Sequence, residues 1–217
     1  MNDRAKEQLK SGAAELGLHL DPDAFGKLYA FAAELKKWSR KINLTALKSD
    51  EDIAVKHFVD SLSILKVVHG GGSLLDIGSG GGFPAIPLKI VCHHLSIVSV
   101  DAVEKKILFQ RHSARLLGLP GFDAIHARAE ELSGKYAGHF DWVVSRAFSD
   151  IPTFIRLALP LLKQGGKIVA MKGKGGQEEA DAAGPALLEM GVEVRDIVRF
   201  RLPISGDERS LVVIERI

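Results

Sequence analysis

The chain has a single cysteine, Cys92, in 217 residues. One thiol excludes an internal disulfide, and neither it nor the adjacent His93 and His94 has the spacing of a zinc site, so no metal is expected. Cys92 reads as a small core hydrophobe. Excess charge of one sign is also missing: 29 Lys and Arg face 27 Asp and Glu, a formal net charge of +2. So even a balance gives no general attraction to a polyanion, and a nucleic-acid face would have to be local. Long hydrophobic runs are absent as well, because Lys, Arg or Pro interrupts each apolar stretch before it reaches bilayer-spanning length. The opening MNDRAKEQLK is too charged for a secretory leader. These absences predict a soluble cytoplasmic protein in a reducing compartment, with no membrane. The hydrophobic fraction of 46% is enough for a full core, and the length fits one domain with an appendage.

What is present divides into a helical extension, residues 1–69, and an α/β domain, residues 70–217. In the first part Asp21 and Pro22 form an N-cap and N1 pair, followed by Phe25, Leu28, Ala32, Leu35 and Trp38 at helical spacing. Ser49 and Asp52 have capping-box spacing for a further helix carrying Ile53, Phe58, Leu62 and Leu65. Between them KKWSRKINLT sets four cations around Trp38, which reads either as an RNA-facing edge or as a solvated helix end with the indole in the core. His57, Asp60 and Ser61 share one turn, but no strained turn exposes a nucleophile there, so a triad is not expected. After Gly70–Gly72 the period changes to short β runs alternating with helices. Strands are expected near Leu74–Ile77, Leu95–Asp101, Asp123–His126, Trp142–Ser145 and Lys167–Lys172, with helices near Ala85–Cys92, Lys105–Leu117 and Ile151–Leu162. Val192–Arg201 and Arg209–Ile217 are joined by too few residues for a helix and must pair antiparallel. The predicted fold is a mostly parallel seven-stranded α/β sheet with an antiparallel final hairpin, the Rossmann-like class I methyltransferase arrangement by analogy of fold.

The stretch LLDIGSGGGFP, Leu74–Pro84, is a strand running into a glycine-rich turn, where a nucleotide is expected to meet free backbone N–H groups. Counted from Gly78, the third glycine of G-x-G-x-x-G falls on Phe83; from Gly80, only the looser form ending at Ala85 is met. Asp76 discriminates further. A carboxylate before the first glycine would repel a pyrophosphate and attract the ammonium and sulfonium of S-adenosylmethionine. Asp101, ending the second strand, is where an acid accepts two ribose hydroxyls, and Ala129 with Glu130 follows the third strand where an adenine can be read. A nicotinamide-dependent oxidoreductase and a non-catalytic nucleotide-binding module in ribosome assembly are the alternatives. The MKGKGG segment near Lys172 lacks P-loop spacing, which argues against ATP.

Asn43–Thr45 (NLT), His57–Leu62 (HFVDSL), Leu74–Pro84, Ala127–Glu131 (ARAEE), Ser145–Phe148 (SRAF) and Met171–Gly175 (MKGKG) occur together and in order. With them the chain closely resembles the glucose-inhibited division protein B family over almost its whole length. The resemblance implies a bacterial methyltransferase that uses S-adenosylmethionine to methylate N7 of a guanine in 16S ribosomal RNA, free or in the 30S subunit. It further implies that Gly78 and Phe83 line the donor pocket and Ala129 and Glu130 hold the adenine, joining Asp76, Gly80 and Asp101 as the expected donor site, and that Arg146 stands beside the donor near the guanine. Arg40, Asn43, His57 and Lys172 would face RNA. Ala102 departs from the family, in which Ser often follows the strand-two acid. The chain lacks the Asn/Asp-Pro-Pro-aromatic segment of exocyclic-amine enzymes and the cysteine of C5-pyrimidine enzymes after strand four. Guanine N7 needs neither, since it has a lone pair and no proton to remove. Arg146 is then expected to orient the base through O6 or a phosphate, unless it is paired with Asp141 or Asp150. No heptad pattern argues for a dimer, so a monomer is expected.

Overall fold

The computed structural model describes residues 1–217. Its first helices are α1 (Asp3–Glu15) and α2 (Pro22–Ser39). Asp21 caps α2 by accepting the Ala24 N–H at 2.7 Å, Pro22 occupies the first turn, and Ala24, Leu28, Phe31, Ala32 and Leu35 form its buried stripe. Loss of such a cap costs about 1 kcal/mol. Residues 50–66 form one helical rod of changing pitch. It starts as α3 (Asp50–Asp52) with Ser49 accepting the Asp52 N–H, widens to π over Ile53–Val59, returns to α4 (Asp60–Leu62) and ends in a 3₁₀ turn, Ser63–Lys66.

The α/β part runs β1 (Gly72–Ile77), α5 (Ala85–Val91), β2 (Leu95–Asp101), α6 (Glu104–Leu116), β3 (Phe122–His126), α7 (Ser133–Tyr136), β4 (Phe140–Arg146), α8 (Ile151–Ala158), β5 (Leu162–Lys172), α9 (Gly176–Glu189), β6 (Val192–Arg201) and β7 (Glu208–Arg216). The sheet order is β3-β2-β1-β4-β5-β7-β6, with β7 antiparallel to both neighbours and the rest parallel. The expected architecture is met: β2 and β6 have the expected bounds, β7 is shifted by one residue, and β1, β3, β4 and β5 are one to five residues longer than the apolar runs alone indicated. Helix α9 is not expected from the sequence pattern; it carries Gly184 and Pro185 inside, residues that weaken a helical pattern but here lie on a helix whose Ala180, Ala183 and Leu187 are buried.

Alternation along the strands sorts the core into two layers. Leu74, Val144 and Val169 face an apolar cluster of 36 buried residues filled from α1, α2, the 50–66 rod, α5 and α6. Their neighbours Leu75, Val143 and Ile168 face a second cluster of 20 residues, closed mainly by α8 and α9. The helical extension thus shares one continuous core with the sheet across residues 69 and 70. Parallel pairing brings the C-terminal ends of β1 to β5 to one side. No helix is long and apolar enough to cross a membrane.

Candidate active site

Two cavities open at the strand ends. One, about 320 Å³, is bounded by the end of β1 (Ile77, Gly78), the end of β2 (Val100 to Ala102), the segment Ala127–Glu130 after β3, and Phe148 after β4. The other, about 340 Å³, lies between the 50–66 rod and the ends of β4, β5 and β7, with Lys56, His57, Asp60, Arg146, Lys172 and Arg209 in its wall. A single residue divides them: Ala147 has φ +55°, so the chain reverses between Arg146 and Phe148 and sends one into each cavity. A non-glycine residue in that region costs on the order of 1 kcal/mol.

In the first cavity the glycine-rich turn is held from behind. Gly78 has φ +73° and Gly80 +57°, and a Cβ on Gly78 would stand 3.0 Å from the Phe148 ring. At Gly80 it is the backbone angle that requires glycine, since a Cβ there would meet nothing within 4 Å. Five of the six N–H groups of residues 78–83 are engaged inside the protein, so the expected row of free donors is not offered. Those of Gly78 and Ser79 go to the Val100 carbonyl, that of Gly80 to Asp101 Oδ2 at 2.9 Å, and those of Gly82 and Phe83 to the Ser79 carbonyl. Beneath the turn, buried Gln110 on α6 donates to the Ser79 hydroxyl and the Gly80 carbonyl, each at 2.8 Å, and Ser99 Oγ lies 2.6 Å from Ser79 Oγ. Asp101 lines the cavity while its carboxylate also accepts the Val103 N–H at 2.9 Å.

Asp76 departs from the expected ligand contact. It is fully enclosed, because β1 lies between β2 and β4 and α5 starts directly above it, where Asp76 Oδ2 accepts the Ala85 N–H at 3.2 Å. Its Oδ1 has no partner. Burial drives its pKa well above the carboxylate range, against the bond from Ala85 and the attraction of Arg146. Gly80 and Phe83 are likewise off the cavity wall. Phe83 is 3% exposed, stacked on His57 at 4.2 Å and covered by the Arg146 guanidinium at 5.2 Å, because the turn faces the helical layer at that point.

The second cavity is organised by Asp60. Its carboxylate takes Arg146 Nη1 at 3.1 Å and Arg209 Nε at 2.7 Å, joining the ends of β4 and β7 to the rod. Arg146 is therefore paired with Asp60 and not with Asp141, which holds Ser73 and Lys163, or Asp150, which caps α8. Arg146 Nη1 also donates to the Lys56 carbonyl, in the π-helical segment where widened pitch turns carbonyls outward, and Nη2 donates to His57 Nδ1 at 3.0 Å. Since guanidinium can only donate, His57 Nδ1 accepts and its Nε2–H donates to Thr45 Oγ1 at 2.6 Å. Burial, then Arg146, lowers the His57 pKa to about 3, so the ring is neutral. Ser61 Oγ has no partner, which excludes a His57–Ser61 couple.

Of the residues expected to face RNA, Arg40 and Asn43 are exposed. His57 is 8% exposed and clamped on both nitrogens. Lys172 is tied down as well: its ammonium donates to the Ser149 carbonyl and Glu179 Oε1, both at 2.8 Å, and the same oxygen accepts the Ile151 N–H. In the KKWSRK segment Lys36 and Lys37 are paired with Asp50 and Glu34, and Trp38 packs on Phe109.

Residues 25–211 match the family described as rRNA small subunit methyltransferase G. A protein named ribosomal RNA small subunit methyltransferase G from Geotalea uraniireducens is 62% identical over 217 residues, covering 100% of this chain and 99% of that protein. The chain belongs to this methyltransferase family. Solved structures share its fold at low identity. TYW2 of M. jannaschii in complex with AdoMet has a TM-score of 0.61 at 14% identity, covering 82% of this chain and 80% of that one. A SAM-dependent methyltransferase from Aquifex aeolicus has a TM-score of 0.56 at 17% identity, covering 71% and 89%.

In this family member the sequence reading missed Phe148 as a wall of the first cavity, and Arg209 and the hub role of Asp60 in the second. Asp60 and Arg209 are 149 residues apart, and no local pattern links them. For Phe148 a signal existed in Ser145–Phe148, which places an aromatic just past a strand end.

Proposed function

We propose that the protein transfers a methyl group from S-adenosylmethionine to N7 of a guanine in 16S ribosomal RNA. The observation that carries the donor assignment is the use of five turn amides, those of residues 78, 79, 80, 82 and 83, inside the protein. A turn without a row of free N–H groups is no cradle for a pyrophosphate. It does suit a phosphate-free nucleoside with a cationic tail, with Asp101 beside the ribose, Ala129 and Glu130 beside the adenine, and the enclosed Asp76 carboxyl below, its ionised form favoured when a cation settles above it. The unpartnered Asp76 Oδ1 fits that role, since a buried carboxylate oxygen without a partner is costly unless a proton or a cation compensates it. When bound, S-adenosylmethionine supplies an electrophilic methyl on sulfur.

The acceptor assignment rests on what the second cavity does not offer. His57 has both nitrogens committed, Asp60 is held between two guanidinium groups, and Cys92 lies in the core away from the cavity. A pocket without a poised base or nucleophile suits an atom that brings its own lone pair. Arg146 retains its Nε–H and one Nη2–H after its bonds to Lys56, Asp60 and His57. Directed at guanine O6, these donors fix the base and leave N7 bare; engagement of N7 itself would mask the nucleophile. Catalysis is then alignment, for which well-placed reactants gain on the order of 7–11 kcal/mol.

The test is methyl transfer from labelled S-adenosylmethionine to 30S subunits and to protein-free 16S rRNA, followed by nucleoside mass spectrometry. The expected product is 7-methylguanosine, with no binding of NAD. A label on an exocyclic amine or on a pyrimidine carbon would refute the acceptor reading.

A further inference from the structure

A larger cavity, about 830 Å³, is at neither of these places. It runs along the outer edge of β3 between α6 and α7. Three cations line it: Arg111 and Arg115 on α6 and Lys135 on α7, all exposed. Asp123 is the only acid in the wall. Many basic side chains elsewhere are matched to carboxylates, among them Lys106 with Asp101 and Lys163 with Asp141, but none of these three has a carboxylate within ion-pair distance.

The arrangement is costly without an anion. Arg111 and Arg115 are four residues apart on one helix face, a like-charge pair that destabilises a helix by a few tenths of a kcal/mol. Arg111 is also oriented, since its Nε donates to the Ala124 carbonyl at 2.8 Å and leaves both Nη groups free at the sheet edge. Opposite, the Lys135 ammonium sits 4.9 Å over the Tyr136 ring, which adds a flat apolar surface to the trough. An oriented guanidinium, two further cations and an aromatic along an open trough match a sugar–phosphate backbone.

We propose that this groove docks the phosphodiester backbone of the RNA substrate, away from the nucleotide that is methylated. The proposal rests on the reading that the substrate is RNA, not on which atom is methylated. In the sheet β3 is three strand spacings from β4, about 14 Å at ~4.8 Å each. The groove therefore engages a part of the folded RNA that does not enter the Arg146 cavity. Its role is to hold and register the substrate, and it makes no contact with the donor cavity's glycine turn.

The experiment measures binding to protein-free small-subunit rRNA as a function of salt, for the wild type, for the pair Arg115→Gln with Lys135→Gln, and for the charge-retaining pair Arg115→Lys with Lys135→Arg. Loss of two phosphate contacts should weaken binding on the order of tenfold at 0.1 M salt and flatten the slope of log K against log salt by roughly 1.4–1.8. The charge-retaining pair should keep the wild-type slope, and both pairs should bind S-adenosylmethionine as the wild type does. An unchanged slope in the Gln pair overturns the groove, as does a loss of donor affinity matching the loss of RNA affinity, or an effect seen with assembled 30S particles only, which would assign the groove to a protein. A wild type without salt dependence would instead deny RNA as the ligand, a separate failure.

Discussion

The two strand-end cavities are built by opposite means. Around Gly78 the site is shaped by a backbone turn that Asp101 and Gln110 pin, and most of its lining residues lie just after β1, β2 and β3. Around Arg146 the wall is side chain, a chain of ion pairs and hydrogen bonds from Thr45 through His57 and Arg146 to Asp60 and Arg209. A pinned backbone turn sets shape and tolerates little movement. A wall of paired charges sets orientation and depends on every partner.

The largest effect should therefore follow from Asp60→Asn. One carboxylate separates two guanidinium groups, and its removal leaves Arg146 without a carboxylate partner and Arg209 with Asp207 alone, at 3.6 Å. Since Arg146 and Arg209 keep 18% and 24% exposure, the stability loss should fall at the low end of the buried-pair range, about 3 kcal/mol. Turnover should fall by about 100-fold or more as Arg146 loses its alignment, with S-adenosylmethionine affinity nearly unchanged in calorimetry. Equal losses in donor affinity and turnover would erase the distinction between the two cavities.

Asp101→Ala probes the other half. Its carboxylate carries the Gly80 and Val103 N–H groups and faces the cavity. Donor binding should weaken by about 1.5–3 kcal/mol, roughly 10–150-fold, with rRNA affinity intact. Calorimetric titration with unchanged affinity would remove Asp101 from the site.

This contrast also sets what was legible in the sequence. Leu95–Asp101 and Val192–Arg201 match their expected bounds because their patterns are local. Gly78, Asp101, Ala129 and Glu130 could be placed on one cavity for the same reason, since each follows a recognisable strand. Arg146 was found, but its partner was not: Asp60 precedes it by 86 residues and sits on a π-interrupted rod that helical periodicity does not anticipate. Lys172 read as an exposed cation, because the Glu179 that holds it belongs to α9, the helix hidden by Gly184 and Pro185.

Acid should act mainly on the Arg146 side. The folded pKa of His57, about 3, is below its ordinary 6.5, so the unfolded chain binds the extra proton in between and stability falls as pH drops from about 6.5 toward 3. The limiting slope from this group is about 1.4 kcal/mol per pH unit. Denaturant midpoints between pH 7 and 5 should fall less steeply in His57→Gln than in the wild type. Parallel declines would mean that His57 is not the group responsible.

The smallest effect is expected from Asp76→Asn, and its sign is opposite. The folded pKa of Asp76 is raised by burial, so the native state holds a proton that the unfolded chain releases above about 4, and stability is lost as pH rises toward the folded value. Asparagine can still accept the Ala85 N–H and carries no charge, so the variant should gain on the wild type as pH rises above about 4. Donor binding adds a second reading of the same group. A cation settling above Asp76 favours its ionised form, so wild-type binding should release a fraction of a proton, measurable as a dependence of calorimetric enthalpy on buffer ionisation enthalpy. The variant should release less and bind more weakly. If it matches the wild type in proton release and affinity while showing the stability gain, Asp76 acts only as the cap of α5, and the cationic preference of the donor cavity must come from Asp101 and Glu130 at its wall.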